Sequence, residues 1–287
     1  MTEAQTGSTV AIRLSAVRYQ YAGARMWALD GVDLAVAPGE VVGIVGPNDA
    51  GKSTVCLVAA GLAPLITGGR LEGDVWLVGG PTSALPPHEA ALRCGILFQD
   101  PQAQLSGTSA TVWEEIAFGP RNIGLPRDEI GVRVERSLEL LRIAPLAPRD
   151  PNRLSGGQAQ LVALASVLAL GPRALVLDEP TSQLDPEGTR LVGEAIRRIV
   201  ADTGAGVLVV EHKTGLLEAI CDRVIVLSAG QSVAGGTADE VLADPGLVTL
   251  GVDPPPGVRL RRAIAGAELP PTVVDRVDQA ILAEMAR

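Results

Sequence analysis

Four short, mostly apolar runs, 41–45, 174–178, 207–210 and 224–227, punctuate the chain. They are rich in valine, isoleucine and leucine and lack the polar alternation of a strand with one wet face. Such runs predict strands buried on both sides. Between them the pattern turns helical, near 52–61, 128–143, 156–170, 188–202 and 216–220. Strands alternating with helices predict an α/β fold with a mostly parallel sheet. Residues 10–17, 32–36 and 74–78 instead predict an antiparallel sheet before and after the first helix. Two breaks follow, Asp244-Pro245-Gly246 and Asp253-Pro254-Pro255-Pro256-Gly257. Beyond them Val273, Val274, Val277, Ile281, Leu282 and Met285 recur at helical spacing. The expected division is therefore a main domain over residues 8–245 and a small helical appendage over 246–287.

Composition narrows the function. An apolar fraction of 47% with 20% charged residues belongs to a folded, globular chain. The net charge of −9 repels nucleic-acid backbones, so no nucleic-acid partner is expected. Cys56, Cys94 and Cys221 are odd in number and show no metal-ligand spacing, which fits a reducing compartment. Residues 1–9 are polar, so no signal peptide is expected. The longest mostly apolar run, 161–170, is about half of the ~20 residues a spanning helix needs, and a soluble protein is expected. Positive charge is carried almost wholly by arginine; the only lysines are Lys52 and Lys213.

Lys52 falls inside Gly46-Pro47-Asn48-Asp49-Ala50-Gly51-Lys52-Ser53-Thr54, which matches G-x-x-x-x-G-K-[ST] between a predicted strand and a predicted helix. In that setting glycines let backbone N–H groups wrap phosphates and the helix N-terminus adds a favourable field. Lys52 neutralises the β/γ-phosphates and the Ser53 hydroxyl binds Mg²⁺. Asp49 stands where many such loops carry glycine. Asp is among the few residues that tolerate positive φ, but its carboxylate lies close to where phosphates bind. The run 174–177 ends in Asp178 and Glu179. A strand tip beside the phosphate loop lets Asp178 hold Mg²⁺ and Glu179 deprotonate the attacking water.

Leu154-Ser155-Gly156-Gly157-Gln158 opens another predicted helix and forms a second anion site with exposed N–H donors. With this element the chain resembles the ATP-binding-cassette (ABC) ATPases, whose signature motif is LSGGQ, and the resemblance spans residues ~10–245. It implies a P-loop NTPase fold with an antiparallel β subdomain and a helical signature subdomain. It also implies ATP and Mg²⁺ as cofactors, and a head-to-tail dimer in which Ser155, Gly156, Gly157 and Gln158 of one subunit cover the γ-phosphate held by the other. Tyr21 resembles the aromatic that stacks on adenine, with Tyr19 as the alternative. Gln99 resembles the glutamine that touches Mg²⁺ and the water, and Ser182-Gln183-Leu184-Asp185 resembles the loop that talks across the dimer. His212 resembles the switch histidine on the γ-phosphate, whereas His88, in a proline-rich turn, is expected to be merely solvated. Leu161 departs from the family pattern, which commonly has arginine there.

Finer resemblance points to the energy-coupling-factor ATPases, which drive micronutrient importers for vitamins or for cobalt and nickel ions. It rests on Phe98-Gln99-Asp100-Pro101-Gln102-Ala103-Gln104-Leu105 and Ala117-Phe118-Gly119-Pro120-Arg121-Asn122-Ile123-Gly124-Leu125-Pro126. Leu250-Gly251-Val252-Asp253-Pro254 and Leu269-Pro270-Pro271-Thr272 are similar to that group's dimer-pairing appendage. The implied partners are a second ABC ATPase subunit, a transmembrane energy-coupling scaffold and a substrate-binding membrane subunit, at the cytoplasmic face of the cell membrane. Two other readings stay open: a nucleotide-sensing subunit of low turnover, suggested by Asp49, and a soluble ABC ATPase of translation or DNA repair. The latter predicts paired cassettes, coiled-coil insertions or basic arms, none of which the sequence shows.

Overall fold

The computed structural model describes residues 10–265 and Arg276. Its strands are β1 Ile12–Gln20, β2 Leu29–Val36, β3 Val41–Val45, β4 Arg70–Leu77, β5 Gly80–Pro81, β6 Cys94–Leu97, β7 Ala174–Asp178, β8 Gly206–Val210, β9 Arg223–Ser228 and β10 Gln231–Thr237. Its α-helices are α1 Lys52–Ala59, α2 Pro87–Arg93, α3 Val112–Asn122, α4 Arg127–Leu140, α5 Gly156–Ala169, α6 Pro186–Thr203, α7 Thr214–Ile220, α8 Ala238–Leu242 and α9 Pro256–Ala265.

Two sheets form. One is antiparallel, in the order β2-β1-β4-β5; the other runs β10-β9-β3-β8-β7-β6, parallel throughout except for β10. Every residue of β3, β7 and β8 is buried, as their unbroken apolar runs require. Successive side chains of a strand point to opposite faces, and this alternation divides the core in two. Val42, Ile44, Val176, Leu208 and Val210 pack with α1 and the antiparallel sheet, together with Ile12, Leu14, Val55 and Leu77. Val41, Val45, Leu175, Leu177, Val207 and Val209 face the helices, against Ile116, Val134, Leu164, Ile196 and Leu217. The central sheet is thus covered on both sides, and only its strand ends remain free to carry chemistry.

Prolines of the two expected breaks, and of the proline-rich turn expected around His88, open helices instead. Pro87 is the first residue of α2 and Pro256 the first of α9, and Pro245 opens a 3-10 turn over Pro245–Leu250. A first-turn N–H has no intrahelical acceptor, so losing it there costs nothing. His88 accordingly lies in the first turn of α2, not in a turn; it is exposed, as a solvated histidine would be. The segment just past residue 245 is packed rather than detached, with Leu247 and Val252 buried in the helix-side core. The expected helix over 272–286 lies outside the described residues, apart from Arg276. Among the described residues, no helix is long and apolar enough to cross a membrane.

Candidate functional site

The loop 46–51 leaves the C-terminal end of β3 and enters α1 at Gly51. Two of its glycines are dictated by space. A Cβ on Gly46 would stand 2.0 Å from the Leu227 carbonyl oxygen, and one on Gly51, with φ 96°, would stand 2.8 Å from the Ala28 carbonyl oxygen. The loop is therefore held by backbone from β9 and from the segment before β2, and no side chain fits at either point. Asp49 adopts φ 60°, the left-handed conformation expected of it. Lys52 is buried, and its ammonium donates to the carbonyls of Gly46 at 2.9 Å and Pro47 at 2.8 Å. Burial lowers its pKa from the ordinary lysine value, while the carboxylates of Glu179, Asp178 and Asp49 act to raise it.

Beside this loop lie the ends of β7 and β8. Asp178, the last residue of β7, is buried, and its Oδ1 has no hydrogen-bond partner. Burial raises its carboxyl pKa above the usual aspartate value; the Ser53 hydroxyl works against that, Glu179 adds to it, and Lys52 and His212 oppose it. Glu179 follows at φ 50°, a conformation that costs a β-carbon residue on the order of 1–3 kcal/mol and is characteristic of reactive sites. Its backbone N–H is tied to the Val210 carbonyl at 2.9 Å, which fixes the tip of β7 to the tip of β8. Its carboxylate is gripped on both oxygens: Gln99 Nε2 donates to Oε2 at 3.0 Å, and His212 Nε2 lies 3.2 Å from Oε1. Residues just past the ends of β6 and β8 thus converge on the carboxylate that follows β7.

A cleft of about 720 Å³ opens over these groups, walled by Asn48, Asp49, Gly51, Lys52, Ser53, Thr54, Gln99, Glu179 and His212 together with Met26, Trp27, Ala28, Ala229 and Gly230. Its wall thus combines phosphate-binding and carboxylate groups with an aromatic ring, a mixture that suits a triphosphate joined to a nucleobase. Trp27 escaped the sequence reading, because no motif marks it; the Arg18 guanidinium sits 4.3 Å from its ring centroid and Arg70 5.7 Å. Tyr21, the residue expected against adenine, is not on the cleft wall. It meets Tyr19 edge-on at 4.9 Å and its hydroxyl reaches Thr54 Oγ1 at 3.1 Å, so it touches the cleft through Thr54.

The donor set fits Mg²⁺. A hard cation of this size takes oxygen ligands only, commonly one or two carboxylates, and fills its shell with water and phosphate oxygens. The buried, unpartnered Asp178 Oδ1, the Ser53 hydroxyl and the Gln99 side-chain oxygen answer that description. No cluster of three or more His, Cys, Asp or Glu side chains able to enclose a metal occurs among the described residues.

The 155–158 segment stands apart from this cleft. Ser155 caps α5, accepting from the Gln158 N–H at 3.3 Å while Gln158 Oε1 accepts from the Ser155 N–H at 3.2 Å. Gly156 and Gly157 lie against Gln183; a Cβ on Gly157 would stand 3.0 Å from the Gln183 carbonyl oxygen. Ser155 and Gly156 are exposed. Within one chain, the two expected anion sites are not brought together.

The ABC transporter family matches residues 29–182. An ABC transporter ATP-binding protein of Pyrococcus abyssi is 39% identical over 230 residues, covering 80% of this chain and 81% of its own. A similarly described protein of Streptomyces avermitilis is 41% identical over 265 residues, 92% of this chain, which spans 46% of that longer protein. Among solved structures, cbiO1 from Clostridium perfringens, part of the ABC transporter complex cbiONQ, superposes with a TM-score of 0.72 at 30% identity, over 84% of this chain and 94% of its own. The ATP-binding cassette MJ0796, solved as a dimer with ADP and Pi, gives a TM-score of 0.70 at 26% identity, over 79% of this chain and 98% of its own. With that family model spanning more than half of its length and a relative 39% identical over most of both chains, the chain belongs to the ABC transporter ATP-binding proteins and is the ATPase subunit of a transporter.

Proposed function

We propose that the chain hydrolyses ATP within an energy-coupling-factor-type importer, driving uptake of a micronutrient, a vitamin or a transition-metal ion, through membrane partner subunits. Hydrolysis takes place at a head-to-tail interface with a second ABC ATPase subunit, at the cytoplasmic face of the cell membrane. The observation that carries the hydrolytic part of the reading is the Glu179 carboxylate, held between Gln99 and His212 on the wall of the phosphate-loop cleft.

In this site the loop amides and Lys52 hold the β/γ-phosphates, and Trp27 on the cleft wall meets the base. Glu179 orients a water and takes its proton as the water attacks, and His212 steadies both that carboxylate and the γ-phosphate. Mg²⁺, held by Ser53, Asp178 and Gln99, would neutralise charge on the β/γ-oxygens. Catalysis is then mostly positioning and charge neutralisation, since phosphoryl transfer asks little covalent chemistry of the protein. The isolation of Ser155, Gly156, Gly157 and Gln158 from the cleft supports a site completed in trans. The 30% identity to cbiO1 supports the importer class. So do Phe118 and Ile123 of the 117–126 segment, exposed apolar side chains of the kind a membrane subunit would cover.

Glu179→Gln is expected to leave ATP binding within about two-fold while lowering turnover by at least ~100-fold, the usual scale for a lost base. Near-normal hydrolysis by that variant removes Glu179 from the role. A second reading, a nucleotide-sensing subunit of low turnover, is favoured by Asp49 on the cleft wall. Its carboxylate acts on the Lys52 ammonium, and repulsion between it and bound phosphates weakens nucleotide binding. Asp49→Gly is then expected to tighten ATP by about five-fold or more, since two like charges ~4 Å apart repel by about 1 kcal/mol even in bulk water. Equal affinity and full turnover in the wild type eliminate that second reading.

A further inference from the structure

Of the 24 lysines and arginines only two are lysines, and the site described above uses only Lys52. Lys213, directly after His212, has its ammonium inside a cage of three oxygens. It donates to the Thr181 carbonyl at 2.7 Å, the Leu184 carbonyl at 2.9 Å and the Thr189 hydroxyl at 3.0 Å. Three N–H donors meet three acceptors, a point-like arrangement that a flat guanidinium cannot reproduce. This accounts for a lysine in a chain that otherwise chooses arginine.

The residue on the other side of His212 grips the same turn. Glu211 is 2% exposed, and its Oε2 accepts from the Thr181 hydroxyl at 2.5 Å. Its Oε1 accepts from the backbone N–H of His212 at 2.8 Å and of Lys213 at 3.1 Å. Thr181 is fully buried and is therefore held at its hydroxyl by Glu211 and at its carbonyl by Lys213. Both ends of the His212 loop are fastened to the turn that follows Glu179, and neither fastening side chain walls the cleft.

We propose that Glu211 and Lys213 are positioning residues that lock the His212 loop to the 181–184 turn. The lock keeps the His212 ring on the Glu179 carboxylate, and a displacement of the turn at a subunit contact moves His212 with it. The proposal rests on reading Glu179 and His212 as the hydrolytic pair. A ring released from this lock misplaces a catalytic contact while the phosphate loop stays intact, so the loss belongs in kcat and not in ATP affinity.

The test measures kcat, KM and ATP affinity of the purified full-length chain as wild type, Lys213→Met, His212→Ala and the double variant. Lys213→Met is expected to lower kcat by about ten-fold, with KM within about two-fold, the signature of a lost positioning contact. The double variant is expected to be no slower than His212→Ala within about two-fold, because residues acting through one another are not additive. ATP affinity in the same preparations reports folding. Should Lys213→Met fail to fold, Thr189→Val removes one cage oxygen and is expected to lower kcat by about three-fold at unchanged KM. Wild-type turnover in Lys213→Met while His212→Ala is slow overturns the lock alone, as do losses that multiply in the double variant. Wild-type turnover in His212→Ala overturns the hydrolytic-pair reading and the lock with it.

Discussion

Asp178 combines a buried, unpartnered carboxylate oxygen with a pKa raised by burial, and these two properties set stability against function at one residue. A carboxyl whose pKa rises on folding is favoured by the fold in its protonated form. That contribution is fully present below the unfolded-state pKa and is lost as pH rises through the folded-state value. At neutral pH the ionised group therefore strains the nucleotide-free fold, and Asp178→Asn is expected to raise Tm. The gain should fade as pH falls toward and below about 3.9, where both states are protonated. Magnesium-dependent hydrolysis by the same variant should fall by at least ~100-fold. Thermal unfolding from acid to neutral pH checks the sign; a lower Tm at neutral pH contradicts the account. Asp178, Glu179 and Lys52 were legible in the sequence because each sits at fixed spacing in a contiguous motif. Trp27 and Glu211 were not, since what gives them meaning is a wall or a turn built from residues far away along the chain.

At the scale of elements, α5 illustrates one sequence serving two ends. Its Ser155–Gln158 capping box satisfies first-turn N–H groups, and its exposed end is also the proposed cover for another subunit's γ-phosphate. Two substitutions separate these duties. Ser155→Ala removes the cap and should cost about 1 kcal/mol, or roughly 2–4 °C in Tm. Ser155→Asp keeps a capping oxygen and should hold Tm near wild type, yet its charge repels a phosphate. In a Glu179→Gln background, ATP should drive dimerisation of the parent and not of Ser155→Asp, as read by light scattering. An ATP-driven dimer from Ser155→Asp removes the segment from that interface. Elements with one-period apolar patterns, β3, β7, β8 and α5, were read close to their true bounds. β10 was missed because six of its seven residues are exposed and it carries no apolar alternation; pairing with β9 alone makes it a strand. The helices begun by Pro87 and Pro256 were read as breaks, because sequence alone does not say whether a proline ends one element or opens the next.

At the scale of the whole molecule, the chain presents half of each expected catalytic site: a cleft with its base, and a capped Ser-Gly-Gly end standing apart from that cleft. Its transport role therefore lies in an assembly. A tagged chain expressed with its membrane partners is expected to copurify in detergent with a second cassette and with integral membrane proteins, and to lose ATP-coupled uptake on Glu179→Gln. Recovery only with soluble ribosomal or DNA-repair factors overturns the importer reading. The alternation of apolar residues, the phosphate-loop spacing, the Asp178-Glu179 strand end and the Ser155-capped helix all reside in short contiguous stretches. Local sequence was therefore sufficient for the fold class and the ATPase family. Tertiary structure alone decided that Trp27 and not Tyr21 walls the cleft, that Gln99 and His212 share one carboxylate, and that Lys213 is fastened to Thr181. Each of these depends on where distant strand ends meet, and a hydrogen bond of about 3 Å is set by the packing of the sheet, which no local pattern encodes.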